Sequence, residues 1–401
     1  MTDHSPASPD QIKKWREDTP GCTYRNHLNN AGAALMPQPV IDTVQNHLEL
    51  ESRIGAYEAG DAASEDIQKA YTSVGELIGA DSKNVAVVEN ATVATSQALS
   101  AFEFESGDTI ITTNVDYSSN QIMLLNLSKR FGVDIMRAED LPEGGVDPAS
   151  VRRLIRKHRP KLMLMSWIPT NSGLVQDATS VGGICREENV PIILDACQAV
   201  GQIAVDVKEL KCDFLAATSR KFLRGPRGMG FLYVSDRVLE KNMYPLFPDT
   251  HGARWTGPET FRLEEGAKRF ENWEFPHALL LGMGMAAEYA NQIGVEVIAQ
   301  RATELGDYTR GKLTDIPGVR VLDYGNQKCA IVSATFEEIE ADVLVQKLRE
   351  RNINTSSAFR TSGVIDMNSK KANAVLRISP HYYNRRDEVD QVVDELRSFM
   401  M

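Results

Sequence analysis

Between about Ala63 and Val234, the sequence alternates predicted helices with short segments in which almost every residue is apolar. Examples of these segments are Val85–Val88, Leu162–Trp167 and Pro191–Leu194. Strands that are apolar on both faces are typical of parallel sheets covered by helices on both sides. The alternation therefore predicts an α/β fold, with a large domain built around a mostly parallel sheet flanked by helices.

After Pro276 the pattern changes, because long predicted helices replace the regular alternation. A long helix is expected from His277, and the remaining strands are few. This pattern is typical of a smaller α+β domain. We expect the large domain to span residues 31–276 and the small domain to combine residues 1–30 with residues 277–401.

Charge and hydropathy exclude several classes of protein. The 401-residue chain carries 44 Lys and Arg against 55 Asp and Glu, a formal net charge of −11. This balance argues against a nucleic-acid partner, because phosphate binding needs a clustered basic surface. No segment approaches the roughly 18 apolar residues of a membrane-spanning helix. The polar segment Met1–Thr19 lacks a signal-peptide core, so we expect a cytoplasmic protein without membrane contacts.

The cysteines and histidines give no sign of a metal centre. The five cysteines are odd in number and widely spaced, and no CxxC pair occurs, which favours reduced thiols over disulfides or a zinc site. The seven histidines show no metal-ligand spacing. Sequence motifs of serine hydrolases, HExxH metalloenzymes and P-loop proteins are also absent. The sequence therefore predicts no metal site.

An aspartate ends the apolar segment Pro191–Leu194. Ligands of open α/β sheets bind beyond the carboxyl ends of the strands. Asp195 is therefore a candidate to pair with a protonated ring nitrogen of a ligand. The alternative is that Asp195 only caps the following turn.

A second motif lies where a predicted strand runs into Thr218-Ser-Arg220-Lys221 and a glycine-rich turn. A lysine at such a place can form a Schiff base if its pKa is lowered, and the neighbouring Arg220 would help to lower it. Thr218 and Arg220 are candidate phosphate ligands. The alternative is a solvated basic turn.

A third motif, Glu89-Asn-Ala-Thr92, follows the strand Val85–Val88 and begins a predicted helix. Backbone N–H groups and a hydroxyl at a helix N-terminus can bind an anion, although an ordinary helix cap is the alternative. An anion site, a carboxylate and a lysine 26 residues after Asp195 are together the groups that pyridoxal 5′-phosphate (PLP) requires.

With these motifs the sequence resembles the class V aminotransferase family of PLP-dependent enzymes, which includes cysteine desulfurases, isopenicillin N epimerase-like enzymes and C–S lyases. The resemblance spans about Leu28 to Met401. It implies the PLP-dependent transferase fold of type I, PLP as the cofactor and a homodimer. The motifs that carry it are Leu28-Asn-Asn-Ala-Gly32, Asn90-Ala-Thr92, Asp195-Ala-Cys-Gln198, Ser219-Arg-Lys221 and Arg377-Ile-Ser379.

The resemblance also implies the roles of residues around the cofactor. Lys221 would form the Schiff base and later transfer protons, Asp195 would keep the ring nitrogen protonated, and Tyr117 would stack on the ring. The alternative for Tyr117 is a place in the core. The implied cofactor-binding residues are Ala91, Thr92, Tyr117, Asp195, Gln198, Thr218, Arg220 and Lys221.

Four residues are implied as ligands of an amino acid substrate. Arg377 suits the α-carboxylate because a guanidinium can pair with it through two parallel hydrogen bonds, whereas the alternative is a structural ion pair. Tyr57 would reach the substrate from its own or the partner chain, whereas the alternative is an exposed helix end. The four residues are Asn30, Tyr57, Asn171 and Arg377.

A missing residue bears on the reaction. Cysteine desulfurases carry a persulfide-forming cysteine on a loop of the C-terminal domain, whereas the corresponding segment here, Ser356–Gly363, contains none. The segment Glu51–Ala59 also resembles the C–S lyase and epimerase-like members. We therefore expect a PLP-dependent enzyme that acts on an amino acid through a Lys221 Schiff base, by β-elimination of the C–S lyase type. A class V aminotransferase is the alternative, and an amino-acid epimerase is a further one.

Overall fold

The computed structural model describes residues 7–400, and the positions of its helices agree closely with the predicted alternation. Within this range the α-helices are α1 (Pro9–Glu17), α2 (Gln38–Ile54), α3 (Ala56–Ala62), α4 (Ser64–Leu77), α5 (Ala91–Ser100), α6 (Ser118–Phe131), α7 (Pro148–His158), α8 (Ala178–Glu187), α9 (Val207–Leu210), α10 (Asp236–Glu240), α11 (His277–Ile293), α12 (Val295–Thr314), α13 (Ala341–Glu350), α14 (Val364–Ser369) and α15 (Arg386–Phe399). Short 3₁₀ helices lie at Pro20–Thr23, Ser82–Asn84, Gly266–Phe270 and Arg360–Ser362.

The strands form one large sheet, one small sheet and two short pairs. They are β1 (Asn26–His27), β2 (Val85–Val88), β3 (Thr109–Thr112), β4 (Asp134–Arg137), β5 (Leu162–Ser166), β6 (Ile192–Asp195), β7 (Phe214–Thr218), β8 (Gly230–Val234), β9 (Ala253–Gly257), β10 (Thr260–Leu263), β11 (Val319–Val321), β12 (Val332–Phe336), β13 (Ile353–Asn354), β14 (Ser356–Phe359) and β15 (Ala374–Ile378).

The large sheet has seven strands in the order β2-β8-β7-β6-β5-β3-β4. Strand β8 is antiparallel to both of its neighbours, and the other pairings are parallel. Every residue of β2, β3, β5, β6, β7 and β8 is buried, whereas the edge strand β4 is partly exposed. The predicted α/β fold with a mostly parallel, doubly covered sheet is therefore confirmed.

The small sheet is antiparallel, with the strand order β11-β12-β15-β14. Helices α13 and α15 bury apolar side chains such as Leu344 and Val392 against it. Strand β1 pairs in parallel with β13, and Leu28 joins the same core, so residues near the N-terminus belong to this unit. The structure thus contains the smaller α+β unit that the sequence predicts.

The packing of α11 bears on where the two domains meet. This helix buries Leu280, Met283 and Ala287 in the core shared with helices α2 and α4 of the large unit. The predicted boundary at residue 277 therefore precedes a helix that contacts the large unit. The division into 31–276 and 1–30 with 277–401 stays a prediction, and residues 1–6 and 401 of that division lie outside the described residues.

The exposed hairpin β9–β10 is absent from the sequence prediction. Its residues Trp255 and Phe261 pair across the two strands and point into solvent. An exposed strand pair lacks the apolar runs by which buried strands are recognised. No helix within residues 7–400 is long and apolar enough to cross a membrane.

Candidate active site

A cavity of about 480 Å³ opens at the carboxyl ends of β2, β5, β6 and β7. This is the edge of the sheet at which ligands of α/β proteins bind. The residues predicted to bind the cofactor all line this one cavity. They are Ala91, Thr92, Tyr117, Asp195, Gln198, Thr218, Arg220 and Lys221.

One end of the cavity is formed by the N-terminus of α5. The Asn90 side chain caps this helix by accepting a hydrogen bond from the Val93 N–H at 3.1 Å. The N–H groups of the first helical residues, Ala91 and Thr92, have no acceptor inside the helix. These groups and the positive end of the helix dipole therefore suit an anion such as a phosphate.

Gly230 lets the start of β8 lie against the loop that precedes α5. A Cβ atom at this position would come within 2.5 Å of the Ala217 carbonyl oxygen and 3.1 Å of the Asn90 Cα. Because the backbone cannot retreat from such contacts, any side chain here would displace the α5 N-terminus. The close approach also brings Thr218, at the end of β7, beside the same end of the cavity.

Asp195 is the last residue of β6, and both of its carboxylate oxygens accept a hydrogen bond. The Asn120 side chain donates to Oδ2 at 2.9 Å, and the backbone N–H of Cys197 donates to Oδ1 at 3.0 Å. These two donors fix the orientation of the carboxyl group. Asp195 therefore caps the following turn and also presents a carboxylate to the cavity, so the two alternatives from the sequence are compatible.

Two residues that support the cavity, Asp116 and Asn120, were not predicted. The Asp116 carboxyl is buried and accepts hydrogen bonds from the backbone N–H groups of Thr113, at 2.9 Å, and Ser166. Burial raises the pKa of Asp116 to about 6. These bonds fix the loop that leads into Tyr117, whose own N–H donates to the Ser166 hydroxyl at 3.1 Å. The signal for both residues is polar side chains around Tyr117, directly after β3.

Lys221 is buried beside the end of β7. Burial lowers the pKa of its ammonium group, Cys197 and Asp195 oppose that shift, and the nearby Arg220 adds to it. The Nζ atom lies 6.0 Å from the centroid of the Tyr117 ring. Among residues 7–400, no hydrogen bond or ion pair involves this nitrogen. A buried, unpaired lysine with a lowered pKa is suited to act as a nucleophile and a base.

Gln198 and Arg220 connect the cavity to the loop after β1. The Gln198 Nε2 donates to the Ala31 carbonyl oxygen at 3.1 Å, and Arg220 donates to the Gly32 carbonyl oxygen. The Gln198 Oε1 is buried and has no hydrogen-bond partner among the described residues. An unpaired buried acceptor is costly, so this oxygen is suited to meet a donor on a bound ligand.

Arg377, on β15, lies next to the cavity. Its guanidinium donates to the carbonyl oxygen of Thr170 at 2.7 Å and to the Ser356 hydroxyl at 3.1 Å, and Thr170 itself lines the cavity. Burial, and then the nearby Arg220, lower the pKa of Arg377 to about 10, so the group remains a cation at neutral pH. The alternative from the sequence was that Arg377 forms a structural ion pair. Within the described residues it has no carboxylate partner.

Asn171 follows Thr170 but contacts a different part of the chain. Its Nδ2 donates to Asp366 Oδ2 at 2.7 Å, and the same oxygen is 2.8 Å from the Lys370 Nζ. A Cβ atom on Gly363 would lie 3.3 Å from the Asn171 amide nitrogen. Asn171 is thus packed against the segment that carries α14, and it does not line the cavity.

The other two predicted substrate residues lie outside the cavity. Asn30 is fully buried, donates to the Ser379 carbonyl oxygen at 2.8 Å and accepts from the Tyr383 hydroxyl at 2.6 Å. Tyr57, on α3, is 75% exposed. The structure does not bring either residue to the cavity in a single chain, and contact with a substrate stays a prediction for both.

Comparison with known proteins identifies the family. The sequence profile of the family described as Aminotransferase class-V matches residues 26–392, which is nearly the whole chain. The chain belongs to this family. The resemblance that rested on five short motifs is therefore confirmed over residues 26–392.

Class V aminotransferase relatives share a quarter of their sequence with this chain. A probable cysteine desulfurase of Pyrococcus abyssi is 26% identical over 395 residues, which cover 95% of this chain and 96% of the relative. A probable hercynylcysteine sulfoxide lyase of Mycobacterium tuberculosis is 27% identical and covers 98% and 94%. The apo cysteine desulfurase of Thermococcus onnurineus superposes with a TM-score of 0.89 at 22% identity and 98% coverage of both chains, so the fold is shared throughout.

As a member of the class V aminotransferase family, the protein is a PLP-dependent enzyme. The groups of the cavity fit this cofactor in kind. The α5 N-terminus suits the phosphate, the Asp195 carboxylate suits the ring nitrogen, and the Lys221 amine suits the aldehyde. The unpaired Gln198 Oε1 offers an acceptor for the ring hydroxyl. The individual contacts remain predictions.

Proposed function

We propose that this enzyme cleaves the C–S bond of a cysteine-derived amino acid by β-elimination. For a thioether substrate, R–S–CH₂–CH(NH₃⁺)–COO⁻ and water yield R–SH, pyruvate and ammonium. The Cβ–S bond breaks, the sulfur leaves with the bonding electron pair and takes up a proton, and the amino group is released by hydrolysis. The reaction needs no second amino acid and no keto acid.

The observation that carries this proposal is that the chain segment packed against Arg377 and Asn171 contains no cysteine. A desulfurase needs a protein thiolate to take the sulfur atom, but Ser356–Ser369, which packs against Arg377 and Asn171, contains no cysteine. Cys197 lines the cavity, but burial and then Asp195 raise the pKa of its thiol. Cys329 is fully buried, and burial raises its pKa to about 12. Neither is suited to accept sulfur.

Arg377 is placed to bind the substrate carboxylate. Its Nε and one terminal nitrogen hold Ser356 and Thr170, so the guanidinium is fixed before a substrate arrives. The nearest contact of its other terminal nitrogen is a long one of 3.5 Å to Asn29 Oδ1. A fixed cation without a protein carboxylate favours an anionic ligand, and the amino acid is thereby oriented for reaction.

Lys221 and Asp195 supply the proton and charge balance. Burial lowers the pKa of Lys221, which favours the neutral amine that can remove the α-proton and later return one. The Asp195 carboxyl group, which accepts hydrogen bonds from Asn120 and the Cys197 N–H, would stabilise a positive charge opposite it. Bound PLP supplies the electron sink that makes the α-proton acidic.

The names of the relatives support cleavage at sulfur. One is a probable cysteine desulfurase and another a probable hercynylcysteine sulfoxide lyase, and both names describe breaking a bond between carbon and sulfur. The second relative, which is named a lyase, aligns over 98% of this chain. A lyase without a protein sulfur acceptor fits that chemistry.

The test is to incubate the holoenzyme with S-alkyl cysteines and cysteine sulfoxides without any keto acid. We expect pyruvate and ammonia in equal amounts, and no turnover in Lys221→Ala. Turnover only after a keto acid is added would replace the proposal with transamination. Recovery of the D-amino acid would replace it with epimerisation. Alanine formed from L-cysteine would indicate a desulfurase, and Cys197→Ala would then be the first variant to examine.

We also propose a homodimer in the cytoplasm. Phe247 and Trp255 expose about four-fifths of their surface, and Phe261, which pairs with Trp255 in register, is also exposed. Exposed aromatic side chains such as these are enriched on surfaces that another chain covers. The five cysteines are all unpaired, as expected in a reducing compartment. Light scattering of the purified protein measures the oligomeric state directly.

A further inference from the structure

Three side chains that can ligate a metal meet where α2, α3 and α11 pack together. His47 and Glu51 lie one turn apart on α2, and His277 is the first residue of α11. The His47 Nε2 is 3.2 Å from Glu51 Oε1, and one ligand atom from each of the three residues lies within 4.8 Å of the other two. The sequence shows no metal spacing here because His277 is far away in the chain.

The burial of His47 sets this cluster apart from an ordinary surface pair. Its side chain is only 4% exposed, and although Glu51 is close, the buried Nε2 makes no hydrogen bond among the described residues. A buried ring nitrogen without a partner is costly in a folded protein. That nitrogen points into the cluster, so a ligand in the cluster would satisfy it.

The backbone around His277 is shaped to its ring. A Cβ atom on Gly60 of α3 would lie 2.8 Å from His277 Cε1 and 2.9 Å from its Nδ1. The missing side chain on α3 therefore lets the imidazole occupy this place. An imidazole in this place can offer a ring nitrogen to the cluster, and imidazole is the commonest metal ligand in proteins.

We propose that His47, Glu51 and His277 bind a divalent transition-metal ion, with Zn²⁺ the best match. Two imidazoles and one carboxylate form a ligand set that zinc uses in proteins, with the fourth position left to water or another ligand. The packing of α2 on α11 already brings one ligand atom of each residue to within 4.8 Å of the other two. Binding an ion at the usual distance of about 2.0–2.2 Å would draw these side chains closer together.

The ion would connect three helices at one point. It would tie the last turn of α2 to the first turn of α11, and the His277 ring lies against α3 at Gly60. Helix α3 also carries the exposed Tyr57, predicted to reach the substrate. None of the three ligands lines the cofactor cavity. The site therefore has a structural role at the corner between α2 and α3.

The test uses metal-free holoenzyme titrated with Co²⁺, which reports tetrahedral coordination through its visible absorption. We expect one equivalent of Co²⁺ bound with nitrogen and oxygen ligands and displaced by Zn²⁺. His47→Gln, Glu51→Gln and His277→Gln should each weaken binding by at least about tenfold. The matched control, His158→Gln at the end of α7, should bind as the wild type does.

Two further readouts separate a lost ligand from a lost fold. Each variant must keep the Lys221-dependent absorption of the cofactor, and Glu51→Gln is the most conservative because Glu51 is partly exposed. In the wild type, Zn²⁺ should slow hydrogen exchange in α2 and α3. Absence of a bound Co²⁺ spectrum, equal binding by folded Glu51→Gln, or thiolate charge-transfer bands would each overturn the proposal.

Discussion

On the cofactor side of the cavity, each functional group lies at the end of a buried strand or directly after it, whereas the substrate side is assembled from distant segments. The cofactor side consists of Asn90–Thr92, Asp195 and Thr218–Lys221, at or after the ends of β2, β6 and β7. The substrate side consists of Thr170–Asn171 and, from the small unit, Ser356–Ser369 with Arg377. Arg377 and Thr170 are hydrogen-bonded although they lie 207 positions apart in the sequence.

Because of this difference, substitutions can alter substrate binding without altering the cofactor site. The cofactor side is fixed by the register of buried strands in the mostly parallel large sheet, so a small shift there would disturb the core. The substrate side depends on a few side-chain hydrogen bonds, such as that of Asn171 with Asp366. We therefore expect variants on the cofactor side to abolish chemistry and variants on the substrate side to alter substrate binding.

The largest effect is expected from Lys221→Ala. Removing the amine takes away both the nucleophile and the base, so kcat should fall by about 10⁴-fold or more. The absorption band of the lysine-bound cofactor should disappear as well. Lys208→Ala on α9, an exposed lysine, is the matched control and should retain both. A normal band in Lys221→Ala would contradict the assignment of the cofactor side.

A smaller loss is expected from Arg377→Ala. Truncating a buried cation that binds a carboxylate costs about 4 kcal/mol, roughly a thousandfold in kcat/KM. The cofactor band should be unchanged, because Arg377 lies on the substrate side. Arg377→Lys keeps the charge but loses the two-point geometry, so it should recover part of the loss. For substrates without a carboxylate, wild type and Arg377→Ala should have the same kcat/KM. A difference would mean that Arg377 acts on the fold instead.

Much of the large sheet can be predicted from the sequence because its signals are local. Strands Val85–Val88 and Gly230–Val234 begin and end where the sequence predicts. Both are continuous apolar segments, and both are buried at every residue. The hairpin β9–β10 and the short strand β14 escape prediction because their side chains are exposed or polar. In such segments pairing partners, and not the residues themselves, determine the structure.

The same distinction applies to the site. The eight predicted cofactor residues share one cavity because strand ends meet at one edge of a parallel sheet. Asp116 and Asn120 were missed because they act through hydrogen bonds to Ser166 and Asp195, which only the fold brings near. The placement of Tyr57 and Asn30 outside the cavity could not be predicted either, since it depends on how distant segments pack.

Asp116 makes the cofactor side sensitive to pH. Its pKa of about 6 in the folded protein lies above the ordinary value of 3.8, so the folded protein holds this proton more tightly than the unfolded chain. The resulting stabilisation is present below about pH 4 and is lost as the pH rises through 6. The loss is about 3 kcal/mol. As the pH rises through this range, the free energy of unfolding of wild type should therefore fall relative to that of Asp116→Asn. Unfolding experiments on both proteins measure this change.

Asp108 offers a control of opposite sign. Hydrogen bonds from the Glu105 N–H and Lys161 lower the pKa of Asp108, although partial burial opposes the shift. Its stabilisation is therefore present above the ordinary pKa and is lost as the pH falls. As the pH rises from acid to neutral, the free energy of unfolding of Asp108→Asn should fall relative to that of wild type. The change expected for Asp116→Asn is in the opposite direction. Equal slopes for the two variants would refute a raised pKa at Asp116.

The smallest effect is expected from Tyr57→Ala, which tests whether the substrate side extends to α3. Tyr57 is 75% exposed in the single chain, so its removal should change the free energy of unfolding by less than about 0.5 kcal/mol. If the ring contacts substrate in the assembled enzyme, the lost aromatic contact is worth about 1 kcal/mol, or roughly fivefold in KM, with kcat unchanged. Tyr24→Ala is the matched control, because Tyr24, directly after the 3₁₀ helix Pro20–Thr23, is 77% exposed. An equal KM for both variants would confine the substrate side to Arg377 and its neighbours, whereas a rise in KM for Tyr57→Ala alone would place α3 beside the substrate.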